Sequence, residues 1–348
     1  MIISRARAGT LALSFAAGLL SAASSARADA VEDFYRGKTL EMIVPTSPGG
    51  DYDIRARMVA RYLTRFIPGN PVIIVRNMPG GLGIAAANYM TNSAPRDGTV
   101  LHAIFQNMPS LQAIGTSGVA FDVRRFGWIG NTTDSPNVIN SWYTTGIKTI
   151  QDVMTRELIV GAPGAASTSY VYPAALNALA GTKFKIVTGY PGGNDVNLAM
   201  EKGEVGGRGS NSWASWKSGH PQWLAEKKIF MLVQIGLQRA PDLPDVPLMS
   251  ELAKTDEDRQ ILTFMSADMG ISRAIVTTQD VPAERLAALR GAFSRMIANP
   301  EFIAEAEKVQ MDISGSDGAT AQKIAESMLA TPKNILERAK VLMEGGTK

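Results

Sequence analysis

The 348-residue sequence predicts an α/β protein of two lobes with mainly parallel sheets, and three observations carry that prediction. Short β-branched or apolar runs alternate with longer amphipathic ones, the pattern of strand–helix–strand units. Removing a 28-residue leader would leave 320 residues, more than one hydrophobic core accommodates as it grows. A strand, a Pro-Gly turn and a helix recur four times in the chain, two in each proposed lobe.

The leader is read from charge and length. Arg5 and Arg7 precede an uncharged run from Ala8 to Ser25 whose apolar part, Leu11 to Leu20, is too short to span a bilayer. Ala26-Arg27-Ala28 has the small-x-small pattern of signal-peptidase sites, so cleavage is expected after Ala28, with Ala30 as the rival position. The sequence has 35 Lys and Arg, 32 Asp and Glu, and no Cys. Loss of Arg5, Arg7 and Arg27 balances the charges, which argues against a nucleic-acid or anionic-membrane footprint. Without cysteine an oxidising compartment poses no pairing hazard, and no lipid-anchor site exists. No later apolar stretch is long enough to cross a membrane, so release into the periplasm or exterior is expected.

Met42 to Val44 reads as the first strand. Asp53 to Phe66 reads as a helix with Ile54, Met58, Val59, Leu63 and Phe66 inward and Arg57, Arg61 and Arg65 outward. Val72 to Val75 is a strand, Ile84 to Thr91 a helix, and Thr99 to Phe105 a strand after the turn Pro95 to Gly98. The unit recurs as strand Leu158 to Gly161, helix Ser167 to Ala180, strand Lys185 to Val187 and helix Asp195 to Lys202, stopped by Gly203. Phe230 to Gln234 reads as a buried strand and Pro241 to Pro247 as a proline-rich connection. Pro282 starts a helix that runs from Ala283 to Ala298. Crossings near Ile129 to Ile139 and Ile235 to Pro244 divide the chain into 29–134 with 245–348 as one lobe and 135–244 as the other.

The Pro-Gly turns occur four times: Pro48-Gly49-Gly50, Pro79-Gly80-Gly81, Pro163-Gly164 and Pro191-Gly192-Gly193. Glycine lets backbone approach a ligand, and the helix start that follows presents unpaired N–H groups and a partial positive charge. Such a terminus binds an anion without a charged side chain. Thr46, Ser47, Ser167, Thr168 and Ser169 could donate to carboxylate oxygens, although each taken singly is better explained as a helix cap. Parallel-strand ends converge at one sheet edge, so the four turns are expected to meet across a cleft.

Asp51 and Asp53 read as helix caps rather than as a catalytic or metal pair, and Arg57, Arg61 and Arg65 as a solvated face. Trp213 and Trp216 fit either a pocket wall or core packing. Arg208, among Gly206, Gly207 and Gly209, could pair with a ligand carboxylate or lie in solvent. His102 and His220 sit in no nucleophile or zinc spacing. Gly81-Leu82-Gly83-Ile84-Ala85-Ala86 matches the dinucleotide pattern only weakly, because Pro79 separates it from the strand and Asp97 belongs to a turn. No cofactor and no metal are expected.

The sequence resembles the substrate-binding proteins of tripartite tricarboxylate transporters, the Bug family. The resemblance lies in Pro45-Thr46-Ser47-Pro48-Gly49-Gly50 with Asp53 and Ala56-Arg57, in Val75-Arg76-Asn77-Met78-Pro79-Gly80-Gly81 with Gly83, and in Ala94-Pro95 with Asp97-Gly98-Thr99. Gly189-Tyr190-Pro191-Gly192-Gly193 and Leu243-Pro244-Asp245-Val246-Pro247 continue it. It implies a type II periplasmic-binding-protein-like fold, two lobes joined by two crossover strands, closing on a small di- or tricarboxylate or aromatic acid. It further implies that Thr46, Ser47, Gly49, Gly50 and Asp51, with Gly80, Gly81, Leu82 and Gly83, hold the shared carboxylate. Ala166, Ser167, Thr168, Ser169, Tyr190, Gly192, Gly193 and Asp195 would serve the second lobe, with Arg208 as a local substitute where the family pattern departs. Thr46, Ser47, Arg76 and Gly206 differ from the usual family residues. The implied protein is a monomeric, non-enzymatic receptor whose partners are the ligand and an inner-membrane permease, with no nucleic acid and no membrane insertion. A ligand-presenting sensor for a receptor kinase, or less readily a secreted hydrolase, are the alternatives.

Overall fold

The computed structural model describes residues 30–49, 51–165 and 167–344. The leader, cleavage after Ala28, Gly50 and Ala166 lie outside the described residues. Ten strands follow in chain order: β1 (Thr39–Val44), β2 (Val72–Asn77), β3 (Val100–Ala103), β4 (Gly127–Asn131), β5 (Asn137–Trp142), β6 (Leu158–Ala162), β7 (Phe184–Thr188), β8 (Gly207–Ser212), β9 (Ile229–Ile235) and β10 (Ala274–Thr277). They form two five-stranded sheets, ordered β2-β1-β3-β10-β4 and β7-β6-β8-β5-β9. In the first sheet β10 alone runs against its neighbours. In the second, β5 alone does so. The two lobes therefore share one topology, each with four strands parallel and the fifth inserted in the opposite sense, the two-lobed periplasmic-binding-protein-like architecture that the sequence predicted.

That arrangement decides what reaches the ligand edge. In each sheet the order reverses between neighbours, β1 leading to β2 on one side and β3 to β4 on the other, as β6 leads to β7 and β8 to β9, which opens a crevice at the carboxyl ends of the strands. An antiparallel strand brings its amino end to that same edge. Ser272 and Arg273, just before β10, and Asn137, at the start of β5, therefore stand beside the residues that follow β1, β3, β6 and β8.

Alternation along β1 feeds two cores: Met42 and Val44 pack with Met58, Val59, Leu63, Phe293 and Phe302, whereas Ile43 faces Ala86, Met90, Ile104 and Met108. The second of these cores continues without a break into Val160, Leu176 and Val233 of the second lobe. The C-terminal helix Lys333–Met343 packs on both the helix Asp256–Ala267 and the second-lobe helix Thr168–Leu179. A third core gathers Trp142, Val196, Met200, Trp213, Trp216 and Trp223. Among the described residues no helix is long and apolar enough to cross a membrane.

The first long helix departs from its expected orientation. It spans Asp51–Leu63, and its buried side includes Arg55 as well as Met58, Val59 and Leu63. Ile54, expected inward, is 48% exposed. The helix is rotated so that position 55 meets the edge between the lobes, where a guanidinium finds polar partners. Arg57, Arg61 and Arg65 lie outward as expected, each in an ion pair, with Asp53, Glu305 and Glu301.

Candidate functional site

A cavity of about 500 Å³ lies between the two sheets at their carboxyl edges. The first lobe contributes Asp51, Arg55, Gln106, Ser272, Arg273 and Asp312 to its lining; the second contributes Asn137, Ser167, Thr168, Ser169, Arg208 and Ser210–Ser212.

On the first-lobe side two arginines meet an acid. Arg273 Nε donates to Asp51 Oδ2 at 2.5 Å, and its Nη1 donates to Gln106 Oε1 at 3.0 Å. Ser272 Oγ donates to the same Gln106 oxygen at 2.8 Å, and the Arg273 guanidinium lies 4.3 Å from the centre of the Tyr52 ring. Arg273 holds this place with φ of 60°, a left-handed conformation that side chains other than glycine seldom adopt. Arg55 Nη1 donates to Thr132 Oγ1 at 3.2 Å and to the Asp312 carbonyl at 2.9 Å; its Nη2 lies 4.0 Å from Asp51. Burial pushes the Asp51 carboxyl up, but Arg273 and then Arg55 outweigh burial and leave it below its ordinary value. Asp312 accepts from Thr133 Oγ1 at 2.8 Å and Ser314 Oγ at 2.7 Å.

Arg208 stands opposite, on β8. Its Nη1 donates to Asn197 Oδ1 at 3.2 Å, and its guanidinium lies 5.7 Å from the Trp216 ring centre. Its Nε is buried with no partner, and no acid among the described residues pairs with it. Burial lowers its pKa to about 10, so it is charged at neutral pH. The helix Thr168–Leu179 starts beside it with no acidic residue in the first turn and no side-chain cap. Ser167 Oγ donates to the Gly164 carbonyl and Ser169 Oγ to the Ser210 carbonyl, which leaves that helix start free of self-capping.

The four glycine turns are distributed unequally. Asp51 from the first and Pro163 with Ser167, Thr168 and Ser169 around the third line the cavity; Thr46, Ser47 and Gly49 are not among its lining residues. Asp53 shapes the first turn instead, accepting from Gly49 N at 2.9 Å, Asn77 Nδ2 at 2.8 Å and Arg57 Nε at 3.0 Å. Those contacts, Arg57 foremost, hold its carboxyl down at about 2 despite burial. The second turn lies beyond Arg273, where Leu82 borders a shallow pocket with Tyr52, Phe105 and Gln106. Gly83 there has φ of 90°, and a Cβ on it would sit 2.5 Å from the Phe105 ring; Gly80, Gly81 and Gly83 are all outside the lining of the main cavity. Gly193 abuts the back of the Arg208 guanidinium, while Tyr190, Gly192 and Asp195 are likewise outside the lining.

Of the residues left with two readings, Trp216 is fully buried, and Trp213 is buried with its Nε1 donating to Asp242 Oδ1 at 2.8 Å, so both are core. His102 is fully buried in β3, and burial lowers its pKa to about 3, leaving it neutral. His220 stacks on Trp223 at 4.2 Å. Arg76 forms an ion pair with Glu41 on the neighbouring strand. No group of three or more His, Asp or Glu that could hold a metal ion occurs among the described residues. Arg55, Gln106, Ser272 and Arg273 were not singled out from sequence; the only signal was an arginine on an otherwise apolar helix face at position 55.

Two α/β lobes with one topology and a polar, cationic crevice between them have the architecture of the periplasmic-binding-protein type. No protein-family model matches the chain. Among curated proteins, the "UPF0065 protein in gbd 5'region" of Cupriavidus necator is 27% identical over 255 residues, 71% of this chain and 73% of the relative. BugT of Bordetella pertussis is 34% identical over 84 residues, 24% of this chain and 25% of the relative. Among solved structures, a TctC solute-binding protein from Polaromonas superposes with a TM-score of 0.68 at 19% identity, covering 87% of this chain and 99% of that one. An adipate-bound protein of R. palustris gives 0.58 at 18% identity, covering 87% and 97%, and malate-bound MatC of Rhodopseudomonas palustris gives 0.57 at 19%, covering 86% and 99%. The resemblance to the Bug family read from the glycine-turn motifs is borne out by these relatives.

Proposed function

We propose that this protein is an exported solute receptor that captures a small organic carboxylate between its lobes and delivers it to the permease of a tripartite tricarboxylate transporter. The observation that carries this reading is the cavity itself, to which both sheets contribute and in which three arginines face two acids. Adipate and malate in structurally similar proteins support a carboxylate ligand. The chain works as two lobes, 29–134 with 245–348 and 135–244, in the periplasm after removal of its leader, as a monomer and without catalysis. Ligand that touches both lobes stabilises the closed state, and the closed state is what the permease meets.

The test is thermal unfolding of the leader-free protein with a panel of mono-, di- and hydroxycarboxylates, each paired with its uncharged amide. A ligand at one hundred times its Kd stabilises by about 2.7 kcal/mol, a shift of several degrees. The reading requires at least one acid to raise the melting temperature while its amide does not. Shifts only with amino acids or neutral sugars would overturn it.

A further inference from the structure

The charges in the cleft are unevenly answered. Asp51 is shared between Arg273 and Arg55, and Asp312 lies on the same side, so the first-lobe wall is close to neutral. The second-lobe wall holds Arg208 without an acidic partner among the described residues and the uncapped start of the helix Thr168–Leu179. One carboxylate therefore has a place, beside Arg208. A second carboxylate reaching the opposite wall would face Asp51 and Asp312, and like charges at such range in a part-buried site repel strongly.

The remaining lining is hydroxyl-rich. Ten of the residues around the cavity are Ser or Thr, four are Asn or Gln, only Pro163 and Ala214 are apolar, and no aromatic ring is among them. An alkyl chain or an aromatic ring would strip water from these groups and return no hydrogen bond, which costs affinity at every unpaired donor and acceptor. A carbon chain with a hydroxyl on most carbons both donates and accepts, and can donate to the Asp51 and Asp312 carboxylates that a second acid group would clash with. About 500 Å³ admits a six-carbon acid of this kind with bridging water.

We infer that the ligand is a polyhydroxylated monocarboxylate of the sugar-acid class, its carboxylate on Arg208 and the start of the helix Thr168–Leu179, its hydroxyls toward Asp51, Asp312 and Gln106. This rests on the receptor reading above and narrows it to one class, with an orientation opposite to the first-lobe carboxylate site that the family resemblance implies.

Calorimetric titration of the leader-free protein with gluconate, galacturonate, adipate, malate, benzoate and glucose tests it. The expected result is that gluconate or galacturonate binds at least tenfold tighter than adipate, malate or benzoate, and that glucose shows no heat of binding. Arg208→Gln should weaken the sugar acid at least tenfold, and Gly193→Ala, which displaces the guanidinium without removing it, should weaken it in the same direction. Tightest binding by adipate, malate or benzoate overturns this inference and leaves the receptor reading intact. Binding of nothing in the panel overturns this inference and leaves the receptor reading to the wider carboxylate panel above; binding of glucose alone overturns both.

Discussion

Arg208 owes its position to residues that have no side chain. A Cβ on Gly193 would lie 2.1 Å from its guanidinium Nη2, so any larger residue there must push the arginine tip aside. Because that tip is the flexible end of a long side chain, Gly193→Ala should leave the melting temperature within about a degree of the parent while weakening carboxylate binding roughly tenfold, as expected when one charge-assisted contact is misplaced. Titration calorimetry and thermal unfolding of the same sample separate the two effects. Asp268 makes a prediction of another kind. It is buried, accepts from Ser110 Oγ at 3.1 Å through one oxygen and leaves the other without a partner, and burial raises its pKa from 3.8 to about 8. Its folded-state pKa lies above the unfolded value, so between those limits the folded form keeps a proton that the unfolded chain releases. Stability from this residue is therefore lost as pH rises from near 4 to near 8. Asp268→Asn should raise the melting temperature at pH 8 and change it little at pH 4. An equal effect at both pH values would refute the buried, protonated carboxyl.

Among the elements, β8 and β10 determine the cleft, and they differ sharply in what sequence pattern reveals. Strands β1, β2, β6 and β9 are apolar or β-branched and were legible by composition. The β8 sequence Gly207-Arg208-Gly209-Ser210-Asn211-Ser212 has no apolar residue, yet its first half is largely buried because neighbouring backbone packs directly on it. A Cβ on Gly209 would sit 1.9 Å from the Ser169 carbonyl oxygen. Gly209→Ala should therefore cost about 1–3 kcal/mol, as overpacking does, read as a lower urea midpoint at unchanged slope. Hydrophobic periodicity cannot see a strand held by glycine contacts, and it cannot see that β10 runs antiparallel; Arg208 stands out in sequence by its glycine neighbours, whereas Arg273 carries no local signal. The apolar pattern predicts the helix Asp51–Leu63 to within two or three residues at each end but places Ile54 inward, because the rule assumes that a buried face is apolar and here it ends at a polar crevice lined by Arg55.

At the scale of the whole molecule, the two lobes share an apolar core on one side and meet through polar contacts on the other. On the polar side Gln310 Nε2 donates to the Ser218 carbonyl at 2.8 Å, joining the chain that follows helix Pro300–Lys308 to helix Trp213–Gly219 across the cavity. One such bond contributes about 0.5–1.5 kcal/mol. Gln310→Ala should thus weaken ligand binding about two- to tenfold and enlarge the radius of gyration of the ligand-free protein in solution scattering. Unchanged scattering and affinity would assign closure to other contacts. The two-lobed plan, the four glycine turns and the second-lobe hydroxyls were legible because each follows from local sequence; the arginine pair of the first lobe was not, since it is assembled from residues 55 and 273 by topology. Where the carboxylate sits is measured most directly by a crystal structure of the leader-free protein with whichever carboxylate stabilises it most. Carboxylate oxygens are expected within about 3 Å of the Arg208 guanidinium and of the first N–H groups of helix Thr168–Leu179. A carboxylate seated on the turn at Gly80–Gly83, with Arg208 left untouched, would contradict that placement.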